Sequence, residues 1–161
     1  MWEIMPIVLA RIDDRLIHGQ VTEGWGKFMK PDIILVVSDT VASCEWESEI
    51  CLAALPLTIK GMVVRVKDAA PVINKLNADK MNAYVLFESP RDAYEVVKNG
   101  AQIVAVNVGG MHSIKGKREI LDYIFVDDND SIHLKALWDA RVKLDFRDLP
   151  EHESADVLER L

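Results

Sequence analysis

The sequence predicts an open, doubly wound α/β fold, a mostly parallel sheet of six or seven strands with helices on both faces. Short apolar runs alternate with helix-length amphipathic stretches along the 161 residues, which is typical of a parallel sheet covered on both sides. Neither a repeat nor a low-complexity linker interrupts the pattern, so we expect one domain over residues 1–161. The right-handed rule for crossovers favours this topology over an antiparallel one.

In the first half of the chain, each apolar run is expected to form a strand and each amphipathic stretch a helix. The unbroken apolar run at 33–37 indicates a strand buried on both sides, and Ser38 or Asp39 is placed to cap the helix that follows. In chain order we predict a strand at 7–10, a helix at about 19–30, a strand at 32–37, a helix at about 41–55, a strand at 62–66, a short helix at 69–76 and a strand at 83–87.

The second half begins with a well-marked helix and becomes less regular. Ser89 stands at an N-cap position, Pro90 at the first helical position and Asn99-Gly100 at the end. Asn129 or Asp130 is expected to cap a later helix. The remaining predictions are a strand at 102–106, a glycine-rich loop at 107–117, a helix or a strand at 120–126, a helix at 130–140, a strand at 142–146 and a short helix at 154–161.

Composition narrows the function classes. The net charge of −7 argues against a nucleic-acid partner, because an acidic surface repels phosphates. Neither a membrane-length apolar run nor a secretory signal pattern is present, so a cytoplasmic location is expected. Cys44 and Cys51 fall two helical turns apart, too far for a disulfide, and match no zinc spacing; we expect two small buried apolar residues.

The first loop after the first strand concentrates charge. Arg11, Asp13, Asp14, Arg15 and His18 stand within eight residues, between a buried strand and a helix. Ligands of open α/β sheets bind outside the carboxyl ends of the strands. So dense a cluster therefore indicates either a solvated turn or an anion site.

The position of His18 favours the anion site. It stands at the start of the predicted helix, and Gly19 after it permits close approach to the backbone. The helix field should keep the imidazole neutral and nucleophilic. Arg11 and Arg15 are then expected to clamp phosphoryl oxygens, and an aspartate on the far ring nitrogen to fix the tautomer. These residues alone predict a phosphate-binding or phosphohistidine site.

The same segment resembles a known family. Residues 11–21, Arg-Ile-Asp-Asp-Arg-Leu-Ile-His-Gly-Gln-Val, are similar to the active-site signature of IIB components of the mannose/fructose/sorbose family of bacterial sugar phosphotransferase systems. Residues 36–39, Val-Val-Ser-Asp, and 106–111, Val-Asn-Val-Gly-Gly-Met, resemble two further segments of that family in the same order. The resemblance runs from about residue 6 to residue 149.

The resemblance implies a phosphoryl carrier with the fold predicted above. The histidine that matches His18 accepts a phosphoryl group on Nδ1 from a phosphohistidine of a IIA component. It passes the group to a sugar that enters through the membrane components IIC and IID. Arg15 is implied to hold the phosphoryl group, and Arg11, Asp13 and Asp14 are expected in supporting roles. The family uses neither a metal nor a cofactor, and its membrane components select the sugar.

Other residues are candidates near this edge of the sheet. Gly19 and Gln20 are phosphate-loop candidates, as are Gly109 and Gly110, whose main-chain amides are expected to face the site or whose small size serves a tight turn. Ser89 is explained by capping, with a phosphate contact as a second duty.

Several side chains are expected to lie outside the site. Glu88, a mild departure from the family pattern, should face solvent or an arginine. His133 and His152 are interpreted as solvated, and so is His112, for which contact with the site is left open. Trp25 and Phe28 should pack beneath the helix that follows His18.

Two other functions compete with the carrier. A receiver domain phosphorylated on aspartate needs a lysine after the fifth strand, and here the first lysine in that region is Lys115. A domain that binds a phosphorylated small molecule without covalent chemistry would use the same loop, and labelling experiments separate it from a carrier.

Overall fold

The computed structural model describes residues 7–161, with the side chain of Val8 left out of the description. The start of the family resemblance at residue 6 lies outside this range. Six parallel strands form one sheet in the order β3-β2-β4-β1-β5-β8, and β6 and β7 form a separate antiparallel hairpin. The strands are β1 Ile7–Asp13, β2 Ile33–Val37, β3 Lys60–Val64, β4 Ala83–Phe87, β5 Ala105–Gly110, β6 Arg118–Leu121, β7 Ile124–Val126 and β8 Lys143–Asp145.

Helices cover both faces of the sheet, which confirms the predicted fold class. Buried residues of α4, α5 and α6 pack on one face, and the π-helix and α2–α3 pack on the other. Alternation within the strands divides the core, since Ile34 and Val36 of β2 face the π-helix side. The helices are a π-helix Gln20–Trp25 that runs into α1 Gly26–Met29, then α2 Asp39–Ala42, α3 Glu45–Ala53, α4 Val66–Ala78, α5 Pro90–Lys98, α6 Asp128–Asp139 and a 3₁₀ turn Leu158–Arg160. Within residues 7–161, no helix is long and apolar enough to cross a membrane.

Two strand predictions that bear on the site were wrong. The first strand was expected to end at residue 10, but β1 continues through Arg11 to Asp13. The fifth strand was expected at 102–106, but β5 spans Ala105–Gly110, and the start of the predicted loop is strand. Arg11 pairs in register with Asn107 of β5. Charged and polar side chains are thereby fixed on rigid strands instead of on a loop.

Helix ends were predicted well where capping residues mark them. Ser89 accepts a hydrogen bond from the backbone N–H of Asp92 and begins α5, and Gly100 adopts a φ of +98° at its end. Ser38 caps α2. Asp127, not Asn129 or Asp130, caps α6, because its carboxylate forms a reciprocal capping box with Asp130.

Several other predicted boundaries of helices and strands differ from those in the structure. The single helix predicted at 41–55 is two helices, because Cys44 adopts an extended backbone between them. Cys44 and Cys51 are free thiols and only partly buried, so the expected full burial was wrong. Residues 120–126 lie in the β6–β7 hairpin, and the predicted helix at 154–161 is reduced to the 3₁₀ turn. The third strand begins two residues earlier than predicted, and α4 is longer at both ends.

Candidate functional site

The site lies where β1 ends, between the carboxyl ends of its neighbours β4 and β5. A tight turn follows the strand, in which the backbone N–H of Leu16 donates to the carbonyl oxygen of Asp13 at 2.9 Å. Leu16 adopts a left-handed backbone with a φ of +58°, yet its side chain is buried in the core on the π-helix side. This buried anchor fixes the path of the loop that carries His18.

His18 is held through both ring nitrogens. Nε2 lies 2.7 Å from Oδ2 of Asp13, and the backbone N–H of Gln20 donates to Nδ1 at 3.3 Å. An ionised carboxylate only accepts hydrogen bonds, so Nε2 carries the proton. The Gln20 amide needs a lone pair on Nδ1. The two contacts together assign the Nε2–H tautomer, which leaves the lone pair on Nδ1.

Asp13 is the centre of the site and is fully buried. Its carboxylate accepts hydrogen bonds from the Arg11 guanidinium, from Nε2 of His18 and from the backbone N–H and Nε of Arg15. Burial by itself raises the pKa of this carboxyl, but the hydrogen bond from His18 and the charge of Arg11 outweigh it and lower the pKa to about 2. Asp13 is therefore ionised across the physiological range.

Arg11 is fully buried, and its guanidinium donates five hydrogen bonds. Nε and Nη2 donate to Asp13, Nη2 also to Oε1 of Gln20, and Nη1 to Oδ1 of Asn107 and the carbonyl oxygen of Asp148. A guanidinium has five N–H groups, so these contacts use all of them. The prediction that Arg11 clamps a phosphoryl group is therefore wrong, and its contacts organise Asp13 instead.

Arg15 occupies a different environment. Its side chain is 40% exposed, and it donates to Oδ1 of Asp13 at 3.3 Å and to Oε1 of Gln20 at 2.8 Å. The Gln20 side chain thus bridges the buried Arg11 and the exposed Arg15. Arg15 is the arginine of the pair that reaches solvent beside His18.

Asp14 faces away from His18. It accepts hydrogen bonds from the backbone N–H of His112, at 2.7 Å, and from the His112 ring. The backbone N–H of Asp14 donates to the carbonyl oxygen of Gly110. The His112 side chain is 54% exposed, and its pair with Asp14 ties the loop after β1 to the end of β5. The two aspartates of the signature therefore have separate partners.

The glycines of β5 provide space. A Cβ on Gly109 would lie 2.0 Å from Cζ of Arg11, and one on Gly110 would lie 2.9 Å from the Asp13 carboxylate. The expected role, amides facing the site, is replaced by close approach of two buried side chains. Gly19 differs, because a Cβ there would meet nothing within 4 Å.

The remaining candidates lie outside this cluster. Ser89 caps α5. Glu88 is partly exposed, and one of its carboxylate oxygens accepts a hydrogen bond from Oγ of Ser38 at 2.6 Å, a contact that was not expected. Phe28 is 68% exposed and does not pack under the helix, whereas Trp25 is buried as expected.

The other two histidines are both paired. His133 is partly buried, with its ring 2.7 Å from the carbonyl oxygen of Asn129. His152 is exposed and pairs with the Asp148 carboxylate.

Sequence reasoning missed the contributions of Asn107 and of the segment after β8. Asn107 was noted only as part of the family segment at 106–111 and of a predicted loop, but it lies on β5, is 4% exposed and bonds to Arg11. The carbonyl oxygen of Asp148 accepts from Arg11 and from Nε1 of Trp25. The sequence does carry a signal for Asn107, because it is a polar residue within an apolar strand. It carries none for the Asp148 contact, because a backbone carbonyl is independent of residue type.

Across residues 7–161, no group of three or more His, Cys, Asp or Glu is placed to hold a metal ion.

This site, on a parallel sheet, belongs to a phosphotransferase component. The family model for the PTS system sorbose subfamily IIB component matches residues 7–161, and the chain belongs to that family. The resemblance drawn from the signature at residues 11–21 is thereby confirmed, and the receiver-domain alternative is excluded.

The relatives match almost the whole of this chain. The chain is 37% identical to a fructose-specific EIIB component of Bacillus subtilis, over 98% of this chain and 97% of that protein. It is 34% identical to a mannose-specific EIIAB component of Escherichia coli, over 99% of this chain and 50% of that protein. The crystal structure of the IIB domain of the Klebsiella pneumoniae sorbose permease superposes with a TM-score of 0.87 at 34% identity, covering 96% of this chain and 94% of that one.

Proposed function

We propose that Nδ1 of His18 carries the phosphoryl group between a IIA phosphohistidine and a sugar that enters through membrane components IIC and IID. The observation that carries this proposal is the pair of contacts on the His18 ring, from which its tautomer is assigned. Asp13 holds the proton on Nε2 at 2.7 Å, and the lone pair of Nδ1 faces the Gln20 amide. A ring held in this way presents one nucleophilic nitrogen to a donor.

The transfer balances at each step. The Nδ1 lone pair forms a bond to phosphorus as the P–N bond on the donor histidine breaks and its electron pair returns to the donor ring. Because Nε2 keeps its proton, the His18 ring gains positive charge, which the buried Asp13 carboxylate stabilises. In the second step, a sugar hydroxyl oxygen bonds to phosphorus as the P–N bond to His18 breaks. The electron pair of that bond returns to Nδ1, the hydroxyl proton passes to water, and His18 leaves as neutral imidazole with its proton still on Nε2.

Arg15 is assigned the phosphoryl oxygens. It is 40% exposed and lies on the same two acceptors, Asp13 and Gln20, that organise the His18 loop. A guanidinium pairs with phosphoryl oxygens through charge-assisted hydrogen bonds. The Gln20 amide beside Nδ1 supplies a main-chain donor near the bound group. Arg11 and Asp13 do not contact the phosphoryl group in this proposal; Arg11 holds Asp13, and Asp13 holds His18. Asp14 and His112 hold the loop to β5.

The names of relatives support the partners. The mannose-specific EIIAB protein, whose length this chain half covers, joins a IIA part to a part like this one. Relatives named for fructose, sorbose, mannose and N-acetylgalactosamine all match at 32–37% identity. We assign sugar choice to the membrane components, and we place the protein in the cytoplasm at the inner face of the membrane. Neither a metal nor a cofactor takes part in the proposed transfer.

Labelling tests this function. Wild-type protein is incubated with radioactive phosphoenolpyruvate, the general carrier proteins and a IIA component, and we expect one acid-labile, base-stable phosphate per chain. His18→Ala should abolish the label, and His133→Ala, which removes a histidine from α6, should retain it. Wild type that binds phosphate compounds without labelling, or label that survives His18→Ala, contradicts the proposal and favours a non-covalent binding domain.

A further inference from the structure

We propose that Asn107 is a positioning residue, which acts through Arg11 and Asp13 to fix the tautomer of His18. This inference rests on the proposed function but concerns a residue outside the loop signature. Four side chains form one continuous chain of contacts. Asn107 Oδ1 lies 2.8 Å from Arg11 Nη1, Arg11 Nη2 lies 2.9 Å from Asp13 Oδ2, and that same oxygen lies 2.7 Å from His18 Nε2.

The orientation of Asn107 is fixed by its other end. Its Nδ2 donates to the carbonyl oxygen of Arg147 at 2.8 Å and to the carbonyl and carboxylate oxygens of Asp145. These acceptors require the amide nitrogen on their side, so Oδ1 must face Arg11. The Asn107 amide oxygen is therefore a fixed acceptor for Arg11, and the amide nitrogen joins β5 to β8 and the segment that follows it.

Arg11 depends on that acceptor because its guanidinium is enclosed by the protein. Its guanidinium is fully buried, with Cζ 5.9 Å from the centre of the Trp25 ring and the bare Cα of Gly109 on another side. Without Oδ1 of Asn107, one N–H of a buried cation is left unpaired, which is costly. The guanidinium then shifts or admits water, and its two hydrogen bonds to Asp13 change with it.

Asp13 transmits the change to His18. Its Oδ2 accepts from both Arg11 and His18, so rotation of the carboxylate to follow Arg11 weakens the hold on Nε2–H. Without that hold, the proton of a neutral imidazole distributes between the two ring nitrogens. A ring protonated on Nδ1 has no lone pair there to accept a phosphoryl group. Asn107 thus controls the reactive fraction of His18 without touching the ligand.

The test compares three variants. Each is measured in its unphosphorylated state and then during phosphoryl transfer from IIA. Asn107→Leu keeps the size of the side chain and removes both polar ends. Asn107→Asp keeps an acceptor for Arg11 and loses the donors. Asn74→Leu is the control, since Asn74 also bridges through both amide ends, to Gly100 and Gln102, at the opposite end of the sheet strands. Circular dichroism and thermal melting select conditions under which each variant is folded.

Ring ¹⁵N chemical shifts of His18 report the tautomer, and the rate of transfer from IIA reports function. We expect wild type and Asn74→Leu to show Nε2–H alone, and Asn107→Leu to show a mixture with transfer slowed by roughly tenfold or more. Asn107→Asp should lie between them. Unchanged His18 shifts in folded Asn107→Leu overturn the proposal, whether transfer is normal or lost. Because the shifts are read without phosphorylation, they test the inference even if wild type does not label.

Discussion

Oδ2 of Asp13 lies 2.7 Å from Nε2 of His18 and 2.9 Å from Nη2 of Arg11. One buried oxygen therefore contacts both His18 and a buried cation. The hydrogen bond from His18 and the charge of Arg11 keep Asp13 ionised, and an ionised Asp13 keeps the proton of the His18 ring on Nε2. The stability of the fold and the proposed chemistry both depend on the Arg11–Asp13 ion pair. Only variants that disturb one contact at a time can separate the two effects.

Replacement of Asp13 by asparagine should destabilise the protein strongly. The change leaves Arg11 fully buried with no counter-charge in contact, and breaking a buried pair in this way costs about 3–5 kcal/mol. Urea unfolding followed by circular dichroism measures the difference. Asp14→Asn is the matched control, because Asp14 is partly exposed and its pair with His112 should contribute less than about 1 kcal/mol. Equal losses in the two variants would contradict the central place of Asp13.

The stability supplied by Asp13 should depend on pH in the acid range. Its folded pKa of about 2 lies below the ordinary value of 3.8, so its contribution is complete above about pH 4 and is lost as the pH falls through 2. The difference of about 1.8 between the two pKa values corresponds to about 2.5 kcal/mol of stability, at roughly 1.4 kcal/mol per pKa unit. The difference in unfolding free energy between wild type and Asp13→Asn should shrink between pH 5 and pH 2.5. A constant difference would refute the low pKa.

The residues of the candidate site could be named from the sequence, but their burial could not be predicted from it. The run Arg11-Ile12-Asp13 was read as loop because charges are costly in a strand. Alternation was the available signal, because Ile12 packs in the core on the α4–α6 side while Arg11 and Asp13 face the π-helix side. What the pattern did not contain was the set of distant acceptors, Asn107 and Asp148, that makes a buried arginine tolerable.

Arg15→Ala should slow phosphoryl transfer by more than roughly tenfold, because the exposed guanidinium is assigned the phosphoryl oxygens. Stability should change by less than about 1 kcal/mol, since the side chain is 40% exposed. Rapid-quench measurement of transfer from labelled IIA gives the rate. Arg118→Ala serves as control, because Arg118 is 46% exposed and pairs with Asp128 at the start of α6. Near-normal transfer in Arg15→Ala would remove that residue from the site.

Gly109→Ala should displace Arg11. The added methyl group would lie 2.0 Å from Cζ of Arg11, so the guanidinium must move and lose hydrogen bonds. We expect a loss of about 1–3 kcal/mol in unfolding free energy, measured in urea, together with slower transfer. Gly19→Ala should cause no loss of stability, because that position has open space and a helical φ of −56°. A Gly109→Ala protein as stable as wild type would show that Arg11 is not confined.

The other misplaced elements have separate causes, one long-range and one local. The apolar run at 102–106 was the better strand by composition, but pairing with β1 moves the strand to Ala105–Gly110, where small residues permit approach to Arg11 and Asp13. The break between α2 and α3 has a local cause that periodicity does not report, since Oγ of Ser48 donates to the carbonyl oxygen of Val41 across it. Elements marked by caps, such as α5, were placed correctly.

The central claim is that Nδ1 of His18 carries the phosphoryl group while Asp13 holds the proton on Nε2. Ring ¹⁵N spectra of the protein, recorded before and after phosphorylation by the IIA donor, test it most directly. The account predicts Nε2–H in both states and a phosphorus coupling on Nδ1 in the second. A phosphoryl group on Nε2 of His18, or on any other residue, would contradict it.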